Sequence, residues 1–233
     1  MILCFDMDGT ITEPRKKIDP LMRAMLTTLI DDNYKVWIVT GSNSEKCREQ
    51  LGSLFYNVDR VFCCSGAEEW MSGFNISTQV TWSPDITLIF ALYNILTNCP
   101  FEPKTGKHME IRTGMLNFSF LGRNYSEGDR EKFTEWDTKN AYRLYIAKLL
   151  QDKFPNIDIM LGGKTSIDIV PKGFGKQSIL DRTDEPLWFF GDEIKPLGND
   201  LLLANRVTET GGKVFPVVDW KNTYNLLMEL RFD

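Results

Sequence analysis

The first twelve residues constrain the fold of this chain more than any other stretch: Met1-Ile2-Leu3-Cys4-Phe5-Asp6-Met7-Asp8-Gly9-Thr10-Ile11-Thr12. The opening run of mostly apolar residues suffices for one buried strand of a parallel sheet. Asp6 and Asp8 fall one residue apart, and at an extended strand end they point to the same side. Carboxylates that close repel unless a cation lies between them or one keeps a proton. Gly9 lets the backbone turn sharply away, and Thr10 and Thr12 offer hydroxyls and amides where an anion can dock. A carboxylate nucleophile, a carboxyl acid–base and an Mg2+ site within so short a run suit covalent phosphoryl transfer. A plain strand with an Asp-Gly turn would carry the same letters, so the rest of the chain must supply matching parts.

Asp6-Met7-Asp8-Gly9-Thr10 resembles the DxDGT signature of the haloacid dehalogenase superfamily. A helix is expected from Pro20 to Asp32, with Leu21, Met22, Met25, Leu26, Leu29 and Ile30 on its apolar face. Lys35 to Val39 reads as a second buried strand, and it delivers Thr40 and Ser42 just before a helix from Glu45 to Leu51. A hydroxyl at such a strand end is well placed for a phosphate. Farther on, Lys176 precedes a short helical run, and Leu187 to Gly191 forms a buried strand delivering Asp192. Gly198-Asn199-Asp200 follows. These stretches are similar to the superfamily's second, third and fourth motifs, in the family's order.

Between the motifs the composition shifts. Residues 75–172 are rich in Thr, Asn and aromatics, with helices expected near 84–97 and 137–153. Short strands are expected at 107–112, 116–121, 156–161 and 166–170, an α+β arrangement without regular alternation. Within it, His108-Met109-Glu110-Ile111-Arg112-Thr113-Gly114-Met115-Leu116-Asn117 through Leu121-Gly122-Arg123 resembles the eukaryotic-type phosphomannomutases, whose equivalent stretch reads EFRNGMLN and closes in IGR. Ser44-Glu45-Lys46 leading to Glu49-Gln50-Leu51-Gly52 echoes the same family, as does Gly162-Gly163 ahead of Ser166-Ile167-Asp168. The likeness runs over almost the whole chain. It implies an α/β, Rossmann-like haloacid dehalogenase core at 1–77 and 174–233, with an inserted α+β cap at 78–173.

The resemblance implies roles as well. Asp6 would be the nucleophile and Asp8 the acid–base, with Thr40, Ser42 and Lys176 holding phosphoryl oxygens. Asp6, Asp8, Asp192, Asn199 and Asp200 would form the Mg2+ site. Arg15, Arg112, Arg123 and Arg130 would grip the second phosphate, and guanidinium forks suit phosphate oxygens. Ser166 and Asp168 would bond the cap-bound end of the sugar. The implied reaction interconverts mannose 6-phosphate and mannose 1-phosphate, with a hexose 1,6-bisphosphate as intermediate and activator. A homodimer through the cap is implied too. A Mg2+-dependent sugar-phosphate phosphatase would use the same residues with water as acceptor, and a non-catalytic sensor would not need the intact motifs.

The chain departs from the family in two places. Cys63-Cys64-Ser65-Gly66 stands where the family has Pro-Glu-Asn-Gly. Arg206 and Glu209 stand where family members carry an Asp and a Thr that help hold a second cation. A guanidinium cannot ligate a cation, so Arg206 is expected to supply positive charge itself.

Composition sets outer bounds. The 233 residues carry a net charge of -5 with mixed signs, which gives no reason to expect a nucleic-acid or acidic-membrane partner. A single histidine leaves His-rich metal sites and Ser-His-Asp hydrolysis little to build on. Five cysteines without regular spacing point to a reducing compartment. No basic leader precedes the first strand, and no apolar run nears the ~20 residues that span a bilayer. A soluble, cytoplasmic protein is therefore expected.

Overall fold

The computed structural model describes residues 1–78 and 82–230. Residues 79–81, at the start of the expected cap, and 231–233, at the end of the expected core, lie outside that description. The chain runs β1 (Ile2–Asp6), α1 (Pro20–Asp31), β2 (Lys35–Val39), α2 (Ser44–Leu51), α3 (Leu54–Asn57), β3 (Arg60–Cys63), β4 (Glu68–Met71) and β5 (Phe74–Thr78). It continues α4 (Ile86–Asn98), β6 (Met109–Arg112), β7 (Met115–Ser119), α5 (Glu127–Asn140), α6 (Tyr142–Lys153), β8 (Ile157–Gly162) and β9 (Ser166–Pro171). A 3-10 helix (Lys176–Arg182) leads to β10 (Leu187–Gly191), α7 (Leu201–Glu209), β11 (Lys213–Pro216) and α8 (Trp220–Glu229).

Two compact units result. The first comprises Met1–Gln79, Gly175–Pro196 and Asp200–Asp233; the second comprises Val80–Phe174 and Leu197–Asn199.

The first unit is built on a seven-stranded sheet in the order β11-β10-β1-β2-β3-β4-β5. Strands β11 to β3 pair in parallel, and β4 and β5 extend the sheet as an antiparallel hairpin. Every residue of β1 is buried, as a strand covered on both faces requires. Around it Ile2, Cys4, Trp37, Val39, Phe62 and Phe189 share one apolar cluster. The register sets the site: Phe5 lies beside Phe190 of β10 and Asp6 beside Val39 of β2. Three neighbouring strands therefore end together, delivering Asp6, Thr40 and Asp192. The order reverses between β1 and β10, and open α/β sheets bind ligands at that switch point.

Local chemistry places the flanking helices. The Asp19 side chain accepts from Leu21 N–H at 2.9 Å to cap α1, with Pro20 in its first turn. Met22, Leu26 and Leu29 face inward. Asn43 caps α2 through Lys46 N–H at 3.1 Å.

The second unit holds a four-stranded antiparallel sheet, β6-β7-β9-β8, with α4, α5 and α6. Its core includes Leu92, Phe118, Phe120, Phe133, Leu150 and Ile167. The helix expected at 137–153 is two helices, α5 and α6, divided at Ala141 in a left-handed conformation (φ 50°). Helix α5 reads as polar, since Phe133 and Asp137 are its buried residues. Its start is set by a reciprocal cap between Ser126 and Asp129.

Candidate active site

Asp6 sits at the buried end of β1, and Lys176 opens the 3-10 helix with only 1% of its surface exposed. Lys176 Nζ donates to Asp6 Oδ1 at 2.5 Å and to Asp200 Oδ1 at 2.7 Å. Asp200 Oδ2 accepts from Glu193 N–H at 3.1 Å, so both its oxygens have partners. Asp192 leaves β10 one residue past the strand end, and its Oδ1 is buried without a hydrogen-bond partner among the described residues. Oxygens of Asp6, Asp192 and Asp200 all lie within 4.8 Å of one another.

Gly9 is required by this closeness. Its φ is +97°, and a Cβ there would lie 2.3 Å from Asp192 Oδ2. Any other residue would be strained and would displace a carboxylate of the site.

Fully ionised, three carboxylates around one ammonium would leave a surplus of two negative charges, with Asp6 and Asp200 buried and Asp192 half-buried. Burial pushes the Asp6 carboxyl well above its ordinary value; Lys176 pulls the other way, while Asp200 and Asp192 add to the rise. Burial, then Asp200 and Glu193, push Asp192 up to about 7. Burial opposes the charge on Lys176, but Asp200 and Asp6 outweigh it and hold its pKa above the usual value. The ammonium stays charged, and the Asp6 and Asp192 carboxyls resist ionisation until more positive charge joins them. Hard oxygen donors, an unpartnered Asp192 oxygen and two uncompensated charges suit Mg2+. Asp6 and Asp192 would hold it, with Asp200 anchoring Lys176 beside them.

Asp8 lies apart from that group. Its Oδ1 accepts from Arg15 N–H at 2.8 Å and from Gln50 Nε2 at 2.9 Å. Arg15, exposed on its loop, has a left-handed backbone (φ 66°) that folds the loop back to make this bond. Thr40 Oγ1 is buried and accepts from Ser42 N–H at 3.1 Å, so the two hydroxyl residues form one small turn after β2. Thr10 Oγ1 points at Asp6 Oδ2 from 3.5 Å. Asn199 precedes Asp200 in the loop before α7. Arg206 does not extend the site: it donates to Gln177 O at 2.9 Å and pairs with Asp181, fastening α7 to the helix that carries Lys176.

The second unit carries its own polar network. Arg112 and Arg123 both donate to Glu110 Oε2, Arg123 at 2.7 Å. Arg123 also donates to Asn117 Oδ1, whose Nδ2 donates to Asp168 Oδ1 at 2.6 Å. Asn117 and Asp168 face each other across β7 and β9, both buried. Ser166 is buried two residues before Asp168, and its carbonyl accepts from Arg143 Nη1 at 3.0 Å. Arg130 lies outside this network and pairs with Glu127 on α5 at 3.2 Å. His108 Nδ1 lies 2.9 Å from Ser119 O.

Sequence reading assigned no role to Gln50, Glu110 or Asn117. Gln50 shares the buried face of α2 with Cys47 and Leu51, and a polar residue at that spacing was the signal. Glu110 and Asn117 carried none, because strand alternation permits polar residues on either face.

The sequence model described as eukaryotic phosphomannomutase matches residues 22–229. Phosphomannomutase 2 of Dictyostelium discoideum is 32% identical over 250 residues, covering 99% of this chain and 96% of its own. A phosphomannomutase of Glycine max is 35% identical over 211 residues, covering 86% of this chain and 85% of its own. A solved haloacid dehalogenase-like hydrolase from B. subtilis superposes with a TM-score of 0.62 at 10% identity, over 99% of each chain. At that identity the likeness speaks for the fold.

Proposed function

The chain belongs to the eukaryotic phosphomannomutase family and is an enzyme of that kind; from that premise we propose how it interconverts mannose 6-phosphate and mannose 1-phosphate. The observation that carries the reading is the meeting of buried Asp6, Lys176 and Asp200 with half-buried Asp192 in one group. Asp6 attacks phosphorus: an oxygen–phosphorus bond forms on its carboxylate as the bond to the sugar oxygen breaks. Asp8 gives its proton to that departing oxygen. In the return half, Asp8 takes the proton from the other sugar hydroxyl as the phosphoryl group leaves Asp6. Lys176 holds the nucleophile and offsets charge on the phosphoryl oxygens, with Thr40 and Ser42 as further donors. Asp6 and Asp192, with the backbone carbonyl of Asp8, would hold Mg2+, which would supply charge neutralisation at the phosphate; Asn199 and Asp200, on the loop before α7, complete the set expected to surround the ion.

A mutase must also hold a sugar by whichever phosphate is not reacting. Arg112 and Arg123, aligned by Glu110, support that role. Arg15 and Arg130 serve as further phosphate partners, and Ser166 and Asp168 bond the sugar. The hexose 1,6-bisphosphate then primes the enzyme by charging Asp6. Helix α4 leaves Ile86 (62%), Phe90 (62%) and Tyr93 (61%) exposed at helical spacing, which supports a second copy of this chain docking there. No described helix is long and apolar enough to cross a membrane. The five cysteines are free and buried, which suits the reducing cytoplasm; recovery of the protein from a secreted fraction would contradict that placement. The functional test is whether mannose 1-phosphate is converted to mannose 6-phosphate faster than phosphate is released.

A further inference from the structure

Gln50 is a buried polar side chain in the last turn of α2, 4% exposed. Its Nε2 lies 2.9 Å from Asp8 Oδ1, 3.2 Å from Lys16 O and 3.3 Å from Thr12 Oγ1. A carbonyl and a carboxylate can only accept, so they fix the amide with its nitrogen toward the loop. The backbone carbonyl of Gln50 accepts from Ile18 N–H at 2.9 Å, which pins the far end of the same loop whatever the side chain. Residues 12–18 are therefore fastened to α2 at several points by one residue. The loop's own amide at Arg15 is the second donor to Asp8 Oδ1.

We propose that Gln50 is the positioning residue for the acid–base carboxyl of Asp8. The inference rests on the acid–base role given to Asp8 above. With Oδ1 occupied by two N–H donors, proton exchange with the sugar oxygen falls to Oδ2, and the carboxyl is held against the rotation that would exchange the two. Gln50 also holds the loop that carries Arg15, so the Asp8 carboxyl and the Arg15 backbone keep a fixed relation. A misplacement of about 1 Å at such a group costs on the order of 10²-fold in rate.

The test separates positioning from folding by changing the leaving group. A sugar alkoxide needs the Asp8 proton to depart, whereas nitrophenolate leaves without one. Gln50→Leu, apolar, one atom shorter and without the N–H groups, should lower kcat on mannose 1-phosphate about 10- to 100-fold with KM within about threefold. The ratio of sugar-phosphate to p-nitrophenyl phosphate rates, each read as single-turnover phosphorylation of the Mg2+-loaded enzyme, should fall at least about tenfold. In an Asp8→Asn background the same substitution should add little, because its target is gone. Equal losses on both substrates, or an additive loss beside Asp8→Asn, overturn the inference and make Gln50 a packing residue. If Asp8→Asn itself shows no leaving-group selectivity, the acid–base reading fails and takes this one with it. Selectivity in Asp8→Asn but not in Gln50→Leu overturns the positioning role alone. Should Gln50→Leu not fold, Gln50→Met, which keeps an unbranched chain, carries the same measurements.

Discussion

At the scale of single residues, the chemistry depends on charges that are buried together. Asp6→Asn removes the nucleophile but leaves a side chain of the same shape, still able to accept from Lys176. Turnover should fall by on the order of 10⁴ or more, while substrate binding measured by calorimetry persists. Residual kcat above roughly a tenth of wild type would mean that another group attacks phosphorus. Arg123→Ala makes a different cut, because that guanidinium joins Glu110 to Asn117 and through it to Asp168. Loss of a charge-assisted bond to phosphate should cost roughly 1.5–3 kcal/mol, about 10- to 100-fold in kcat/KM for sugar phosphates. Small esters without a second anionic group should be affected far less. Equal losses for both kinds of ester would show that the residue serves the fold of its own sheet instead.

At the scale of elements, the legible parts were those with a strong local signal. Strands β1, β2 and β10 read directly because buried parallel strands are continuous apolar runs. Asp6 and Asp192 were legible for the same reason, each being a carboxylate at the end of such a run. The partnership of Lys176 with Asp200 was not, because it joins residues across a turn that no period describes. Helix α5 was missed because its sequence shows almost no apolar face; its cap at Ser126 was the available clue. The hairpin β4–β5 gave no distinct signal beside the change in composition that follows it. Helix α4 shows the converse, an apolar stripe more extensive than its own core needs. Leu88 and Leu92 are buried, while Ile86, Phe90 and Tyr93 face solvent. If a second copy covers that stripe, Phe90→Glu should convert a dimer to a monomer in sedimentation, with helix content unchanged. A monomeric wild type, or a dimer that survives the substitution, would contradict that assignment.

At the scale of the whole molecule, the buried acidic group ties stability to pH and to Mg2+. Asp192 is pushed up to about 7 and Asp6 is raised as well, both chiefly by burial. Carboxyls that bind protons more tightly when folded stabilise the fold fully below the unfolded value of about 4. That contribution is lost as pH rises through the folded value. Exposed carboxyls held low by hydrogen bonds, such as Asp129 and Glu185, work in the opposite direction but are screened by solvent. In chelator, Tm should fall between about pH 5 and about pH 8, and Mg2+ should restore it more at the higher pH. Asp192→Asn should weaken both effects; a Mg2+ shift independent of pH would place the ion elsewhere. The central claim concerns what takes the phosphoryl group from Asp6. A mutase presents a sugar hydroxyl and keeps water from the acyl-phosphate, and a phosphatase does neither. The decisive measurement supplies mannose 1-phosphate, Mg2+ and a trace of hexose 1,6-bisphosphate, and follows mannose 6-phosphate by a coupled assay beside inorganic phosphate in the same sample. The account predicts that the 6-phosphate forms faster than phosphate appears, and that omitting the bisphosphate slows it. Phosphate release that dominates at saturating sugar monophosphate and primer would contradict it.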